Sequence, residues 1–271
     1  MDRPPTLAHA LQAGLAPPPT PADARPCPVV VAGGVGRLGS AVLEAVLRSG
    51  RHQPVVVLAR QPIEVAMAGL RVGLMGEGST LPPLPPGTET AVVVIDQAHS
   101  RHGREAALLA PVPADLAALG RQLHAAGVRR LVLVLPHLPG LLPAALRAGL
   151  ATLEETALAA LGFEQLVLVR PARAATGGAA ARLSWPARLA RALLAQLHWM
   201  VPQREQPLRP QKVAEAVAAL VQALPGARSG TRVWTPEALW DWAQPGGGQA
   251  WLTAWLTDQP LPTVQVPRAR W

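Results

Sequence analysis

The sequence predicts an α/β fold, in which a doubly wound parallel sheet is covered by helices and followed by a small, mostly helical C-terminal part. From Pro28 onward, short continuous apolar runs, typical of strands buried on both faces, alternate with amphipathic segments. The first unit, Val29–Gly50, reads as a buried strand, a glycine-rich turn and an amphipathic helix. Apolar residues make up 49% of the 271 residues, enough for one large core. These observations favour a Rossmann-type sheet.

Six buried strands are predicted from runs of Val, Leu, Ile and Ala. They are Val29–Val31, Pro54–Ala59, Leu70–Met75, Ala91–Ile95, Arg130–Leu135 and Gln165–Val169. Helices are expected after the glycine-rich turn and at Pro113–Ala126, Leu141–Leu161, Trp185–Met200 and Lys212–Leu224, and Arg232–Trp234 is strand-like. In such sheets ligands bind beyond the carboxyl ends of the strands, where the strand order reverses.

Three regions are predicted along the chain. Met1–Pro28 contains eight prolines and little periodicity, so residues 1–27 are expected to form an extended or poorly ordered arm. Residues 28–235 carry the alternating strands and helices, and residues 236–271 form a tryptophan-rich C-terminal tail.

The composition limits the classes of function. The net charge is +8, but the arginines are scattered and no nucleic-acid-binding motif is present, so a nucleic-acid partner is not favoured. Cys27 is the only cysteine, which excludes an intrachain disulfide and a thiolate metal site. No stretch has the roughly 18 uninterrupted apolar residues of a transmembrane helix, and no secretory signal is recognisable. We therefore expect a cytoplasmic protein without membrane insertion.

The glycine-rich turn carries the strongest functional signal. Gly33, Gly36 and Gly39 stand at the spacing G-x-x-G-x-x-G, directly between a strand and a helix. Glycines at these positions allow a tight turn, a close approach of backbone amides to a pyrophosphate and close packing of the helix on the strand. A merely structural turn is the alternative, but the position of the triplet favours dinucleotide binding.

Five sequence segments, the first of which contains the glycine-rich turn, extend this interpretation to most of the chain. The segments concerned are AGGVGRLG (Ala32–Gly39), LARQP (Leu58–Pro62), AAGVRRLVLV (Ala125–Val134), EETALAALGFEQLVLVRPA (Glu154–Ala172) and QPLRPQKVAEAVAALV (Gln206–Val221). Taken in order, they resemble atypical short-chain dehydrogenases/reductases of the NAD(P)H-binding group. That group includes the Tat-interacting-protein-type oxidoreductases and proteins similar to NAD-dependent epimerases/dehydratases.

The resemblance implies a set of cofactor-binding residues. The residues matched to the diphosphate turn are Gly33, Gly34, Gly36, Arg37, Leu38 and Gly39. Arg60 follows the second strand, at the position where such proteins often meet the 2′-phosphate of NADP. Because a guanidinium favours a phosphate, NADP(H) is expected in preference to NAD(H). The alternative for Arg60 is an ordinary solvated arginine.

The standard catalytic set of these enzymes is missing. The family uses a serine and a Tyr-x-x-x-Lys pair, yet this chain has no tyrosine and its only lysine is Lys212. The counterparts of the serine, tyrosine and lysine are Leu135 or Pro136, Arg147 and Ala151. None of these side chains supplies the required proton-donating phenol or its lysine partner. The composition therefore excludes the standard mechanism.

Three polar residues are expected at the carboxyl ends of the fourth and fifth strands. Asp96, His99 and His137 are candidate general acids or bases, although ordinary loop and surface roles are the stronger interpretation. Asp96, His99 and His102 also form D-x-x-H-x-x-H, but loop residues at this spacing seldom converge on a metal, and no metal site is predicted.

Tryptophans are concentrated near the C-terminal end. Trp251 and Trp255 are one helical turn apart, and internal packing is favoured over a surface for a protein partner. Three functions remain open at this point: a dinucleotide-binding regulatory or assembly protein, an NADPH-dependent reductase or isomerase with a non-standard proton donor, and a cofactor-free scaffold subunit.

Overall fold

A computed structural model describes residues 27–65, 67–96, 104–137, 149–172 and 207–264. The expected N-terminal arm, the expected helix Trp185–Met200 and the candidate residue His99 lie outside these ranges.

Within the described residues, seven parallel strands form one sheet in the order β3-β2-β1-β4-β5-β6-β7. The strands are β1 (Val29–Ala32), β2 (Val55–Ala59), β3 (Leu70–Leu74), β4 (Thr90–Val94), β5 (Arg130–Val134), β6 (Gln165–Val169) and β7 (Gly230–Trp234). The order reverses between β1 and β4, which is the doubly wound arrangement. The predicted Rossmann-type fold is therefore confirmed.

Helices cover both faces of this sheet. They are α1 (Gly36–Arg48), α2 (Arg104–Ala107), α3 (Leu116–Ala125), α4 (Leu153–Ala159), α5 (Pro210–Ala223), α6 (Pro236–Trp242) and α7 (Gln249–Leu256). Side chains alternate between the two faces along each strand. On one face, Val29 and Val31 pack in a layer with α1 and α5. On the other face, Val30 and Ala32 pack in a layer with α3 and α4.

Helix α1 forms because its apolar residues recur with the helical period. Val42 and Val46, one turn apart, are fully buried against the sheet. The helix ends at Arg48, and Gly50 adopts a left-handed conformation (φ +64°) while its amide donates to the Leu47 carbonyl. At the other end, Val35 precedes the helix and supplies no side-chain cap. The first amides of α1 must therefore find acceptors elsewhere.

The predicted helix Leu141–Leu161 is confirmed over Leu153–Ala159, but in its described part the helix begins later than predicted, at Leu153. The Thr152 hydroxyl accepts a hydrogen bond from the Glu155 amide at 3.2 Å, and Glu155 Oε2 accepts one from the Ala151 amide at 2.6 Å. These reciprocal bonds cap the helix and fix its start. Residues 141–148 lie outside the described ranges.

The tryptophan-rich region packs into the same layer as α1 and α5. Trp234, Trp242 and Trp251 are buried there, and Trp234 stacks on Trp251 and Trp255 with ring centroids 6.2 and 5.5 Å apart. Trp242 meets Trp234 edge to face at 6.0 Å. The packing interpretation is thus confirmed for the three buried indoles.

Candidate functional site

The candidate site lies at the carboxyl ends of β1 and β4, where the strand order reverses. The turn 33–35 leaves β1 at this edge and leads directly into α1. The amino end of α1, whose first amides have no acceptor within the helix, therefore lies with the positive end of its dipole at the crevice in which this class of sheet binds ligands.

Backbone conformation or close contacts explain why each of the three positions of the turn carries glycine. Gly33 and Gly36 adopt left-handed conformations, with φ of +86° and +71°. A Cβ atom on Gly33 would lie 1.9 Å from the Val94 carbonyl oxygen, and one on Gly39 would lie 2.0 Å from the Gly33 carbonyl oxygen. Neither position can accept a side chain without moving backbone. The turn is thus tightly folded against β4 and against the first turn of α1.

Two carboxylates of the chain itself bind the amides at the start of α1. The Gly36 amide donates to Glu105 Oε1 at 2.6 Å, and the Leu38 amide donates to Asp96 Oδ2 at 2.8 Å. Gly36 and Leu38 are both buried, so their amides need acceptors. Since Val35 provides none, Glu105 and Asp96 take the place of a helix cap. The arrangement demonstrates that this turn holds anionic oxygens.

Glu105 belongs to a segment that crosses the carboxyl ends of β1 and β2. Residues 104–110 contain α2, and Leu108 forms an antiparallel bridge with Ala59. The Ala107 carbonyl accepts from the Arg60 amide at 2.7 Å, and the Leu109 carbonyl accepts from the Gly33 amide at 3.1 Å. The segment therefore occupies part of the crevice between the turn and the end of β2.

The predicted phosphate-selecting residue lies at the far side of this segment. Arg60 is exposed and lines a cavity of about 220 Å³ together with Met75, Leu109 and Gln122. Ligand pockets that enclose a drug-sized molecule have about 300–1,000 Å³. The cavity has room for only part of a dinucleotide while residues 104–110 stay where they are.

The remaining predicted turn residues divide by exposure. Gly34 is buried, and a Cβ atom there would meet the Leu43 side chain at 3.2 Å. Leu38 points its side chain into the core and offers only its amide to the site. The Arg37 side chain is exposed beside an open cavity of about 390 Å³ that Pro210 of α5 also lines. Their assignment to a cofactor stays a prediction.

The candidate proton donors lie at neighbouring strand ends. His137 is half-buried beyond β5, and its amide donates to the Pro171 carbonyl at 3.1 Å. Asp96 is half-buried beyond β4, with its carboxylate on the Leu38 amide. The structure thus gives Asp96 a hydrogen bond to the first turn of α1, whereas the catalytic roles of both residues stay predictions. His99 lies outside the described residues.

A buried ion pair near the same edge was missed by the sequence reasoning. Arg170 follows β6, and its Nη2 lies 2.7 Å from Glu155 Oε2, with both side chains at most 5% exposed. The sequence signal near this pair is the capping-box motif Thr152-x-x-Glu155. A carboxylate can accept several hydrogen bonds, so Glu155 can accept from the start of the helix and from Arg170 together. The pair fixes the start of α4 against the end of β6.

Of three comparisons with known proteins, only the comparison with solved structures found matches. No protein-family model matches the sequence, and a search of curated proteins gave no match. Solved structures that resemble this chain include a short chain dehydrogenase family protein from Francisella tularensis, with 12% identity, a TM-score of 0.44 and coverage of 79% of this chain and 99% of that chain. A short chain dehydrogenase from Leptospira borgpetersenii with bound NAD+ has 9% identity, a TM-score of 0.42 and coverage of 79% and 93%.

A third similar structure is the Bordetella bronchiseptica enzyme WbmG in complex with NAD and UDP. It has 18% identity, a TM-score of 0.40 and coverage of 91% of this chain and 84% of that chain. Two of the three structures are named as short chain dehydrogenases. At such low identities the likeness concerns the fold, which the strand order already establishes.

Two further features are absent from the described part of the chain, a membrane-spanning helix and a metal-binding cluster. No helix there combines the length and the hydropathy needed to cross a bilayer. Nor do three His, Cys, Asp or Glu side chains of those residues come together in a way that could hold a metal ion.

Proposed function

We propose that this protein binds a nicotinamide dinucleotide at the turn between β1 and α1 and does not carry out tyrosine-dependent hydride chemistry. The observation that supports binding is the pair of anionic oxygens already held by the Gly36 and Leu38 amides, at 2.6 and 2.8 Å. Phosphate oxygens are bound in the same way at helix amino ends. In this proposal the carboxylate oxygens of Glu105 and Asp96 stand where diphosphate oxygens bind.

The proposed role is regulatory or structural, because the chain lacks the tyrosine and the neighbouring lysine that supply the proton in the standard hydride-transfer reaction. It has no tyrosine, and its only lysine, Lys212, lies on α5 in an exposed pair with Glu215. The dinucleotide would supply redox chemistry only if another proton donor, such as His137, served the substrate. A bound dinucleotide would instead stabilise the structure at the carboxyl ends of the strands, where partners or ligands would bind.

Binding is tested on the purified full-length protein. Native mass spectrometry measures retained nucleotide, and calorimetric titration with NADPH and NADH measures affinity. We expect saturable binding of one dinucleotide per chain and no oxidation of NADPH in a screen of carbonyl substrates. Oxidation that disappears in His137→Ala would contradict the regulatory role and favour the reductase. Absence of binding would contradict the proposal itself.

NADP(H) is the preferred form in this proposal, because the exposed guanidinium of Arg60 follows β2. Arg60→Glu is expected to weaken NADPH binding by about 10- to 100-fold, the equivalent of one charge-assisted hydrogen bond of about 1.5–3 kcal/mol. NADH binding should change much less. Arg71→Glu, an equal charge reversal on an exposed residue of β3, is the matched control. Equal losses for NADPH and NADH would contradict the preference.

A cofactor-free scaffold subunit is the second candidate function. The same two carboxylates favour it, because Glu105 and Asp96 already satisfy the buried amides that a diphosphate would bind. The two candidates differ in one result. The scaffold binds no dinucleotide under any condition and copurifies with another protein.

A further inference from the structure

The crossing segment, residues 104–110, is attached to the sheet edge along its length. Leu109 makes two backbone hydrogen bonds: its amide donates to the Leu58 carbonyl of β2 at 2.9 Å, and its carbonyl accepts from the amide of Gly33, the residue after β1, at 3.1 Å. Ala107 accepts from the amides of Arg60 and Gln61 at 2.7 and 3.2 Å. Ala107 and Leu109 are also buried. These hydrogen bonds therefore hold the segment across the carboxyl ends of β1 and β2, over the crevice.

The crossing segment also contacts the amides at the start of α1. Glu105, in the first turn of α2, reaches the Gly36 amide, while Asp96 from the end of β4 reaches the Leu38 amide. Both side chains present carboxylate oxygens to the amides that the diphosphate of a dinucleotide would use. An amide hydrogen that points at a carboxylate oxygen is not available to a phosphate oxygen. The carboxylates would also repel an approaching diphosphate.

We infer that Glu105 and Asp96 form an internal lock on the turn, so that a dinucleotide binds only when the carboxylates withdraw and residues 104–110 leave the crevice. This regulation of the site rests on the proposed dinucleotide binding. It follows that only the open fraction of the protein binds, and the apparent dissociation constant is the intrinsic one divided by that fraction. Binding and release of the crossing segment are then one coupled equilibrium.

The lock makes the site responsive to whatever contacts residues 104–110. A partner or ligand that draws the segment off β2 would raise dinucleotide affinity, and the dinucleotide would raise the affinity for that partner by the same factor. The cavity of about 220 Å³ that Leu109 and Arg60 line would then join the vacated crevice into a single longer site.

The test compares the full-length wild-type protein with the double variant Glu105→Gln, Asp96→Asn. The amide side chains keep an oxygen acceptor of the same shape for the Gly36 and Leu38 amides but remove both negative charges. Glu164→Gln is the matched control, because Glu164 is exposed and precedes β6 at the opposite edge of the sheet. NADPH and NADH are titrated into each protein by calorimetry, and amide hydrogen exchange of residues 104–110 is followed with and without NADPH.

The lock predicts that the double variant binds at least about tenfold more tightly than wild type, that Glu164→Gln does not, and that NADPH speeds exchange in residues 104–110 of the wild-type protein. Equal affinities, with exchange unchanged by bound NADPH, would overturn the lock and leave dinucleotide binding intact. Absence of binding in all three proteins would overturn the proposed function and the lock with it. The exchange measurement on wild type decides the lock even if the double variant does not fold.

Discussion

Replacing Gly33 by alanine should destabilise the protein far more than the same change at Gly50. Both residues have a left-handed backbone, with φ of +86° and +64°. The two sites differ in space, because a Cβ on Gly33 would lie 1.9 Å from the Val94 carbonyl oxygen, whereas one on Gly50 would have nothing within 4 Å. The comparison isolates the steric part of the glycine requirement.

The expected magnitudes follow from these two terms. The left-handed conformation costs a non-glycine residue roughly 1–2 kcal/mol, which is the whole effect expected for Gly50→Ala. Gly33→Ala adds an overpacking cost of about 1–3 kcal/mol, so its total is roughly 2–5 kcal/mol. Urea unfolding followed by tryptophan fluorescence measures both free energies of unfolding. Similar losses at the two positions would refute the tight contact between the turn and β4.

Three further predictions concern packing and charge. Glu155→Ala should lower the free energy of unfolding by about 3–5 kcal/mol, because it removes the carboxylate paired with the buried Arg170. Urea unfolding measures this loss, and a loss near zero would contradict the prediction. Trp251→Ala should cost about 3–5 kcal/mol by the same assay, whereas unchanged stability would favour a surface role for the indole. Hydrogen bonds from Arg232 hold the pKa of the exposed Asp258 carboxyl below its ordinary value. The pair therefore adds stability above the unfolded-state pKa of Asp258, and this stability is lost as the pH falls through the folded-state pKa. In acid unfolding, the stabilities of wild type and Asp258→Asn should converge at low pH. A difference in stability that persists in strong acid would contradict this.

The fold could be predicted because its signals are local and repeated. Val29–Ala32, Val55–Ala59 and the other central strands are uninterrupted apolar runs, and burial on both faces of a parallel sheet produces that pattern. Strand boundaries differ by only one or two residues from those predicted. The start of α4 was missed because it depends on two local hydrogen bonds, one donated by the Glu155 amide to the Thr152 hydroxyl and one accepted by the Glu155 carboxylate from the Ala151 amide.

The position of the glycine turn was also predictable, but its surroundings were not. The sequence places Gly33, Gly36 and Gly39 between a strand and a helix, and the structure has them there. The contact between Glu105 and Gly36 joins residues 69 positions apart, and no periodicity encodes it. The usable hint was Val35, because an apolar residue before a buried helix start leaves amides that distant acceptors must satisfy.

The glycine spacing also has two physical explanations that sequence reasoning could not separate. The steric requirements of Gly33 and Gly39 exist without any ligand, because the atoms that exclude a side chain belong to Val94 and to the turn itself. Glycines at these positions are therefore needed by the turn whether or not a dinucleotide binds. The anion-binding geometry of the Gly36 and Leu38 amides is the observation that supports a ligand.

We propose that the amides at the start of α1 bind the diphosphate of a dinucleotide once the internal carboxylates withdraw. A crystal structure of the full-length protein grown with saturating NADPH would show this binding. We expect diphosphate oxygens on the Gly36 and Leu38 amides, with Glu105 and Asp96 displaced from the positions they hold at 2.6 and 2.8 Å. Crystals in which both carboxylates keep those hydrogen bonds, with no nucleotide at the turn, would contradict it.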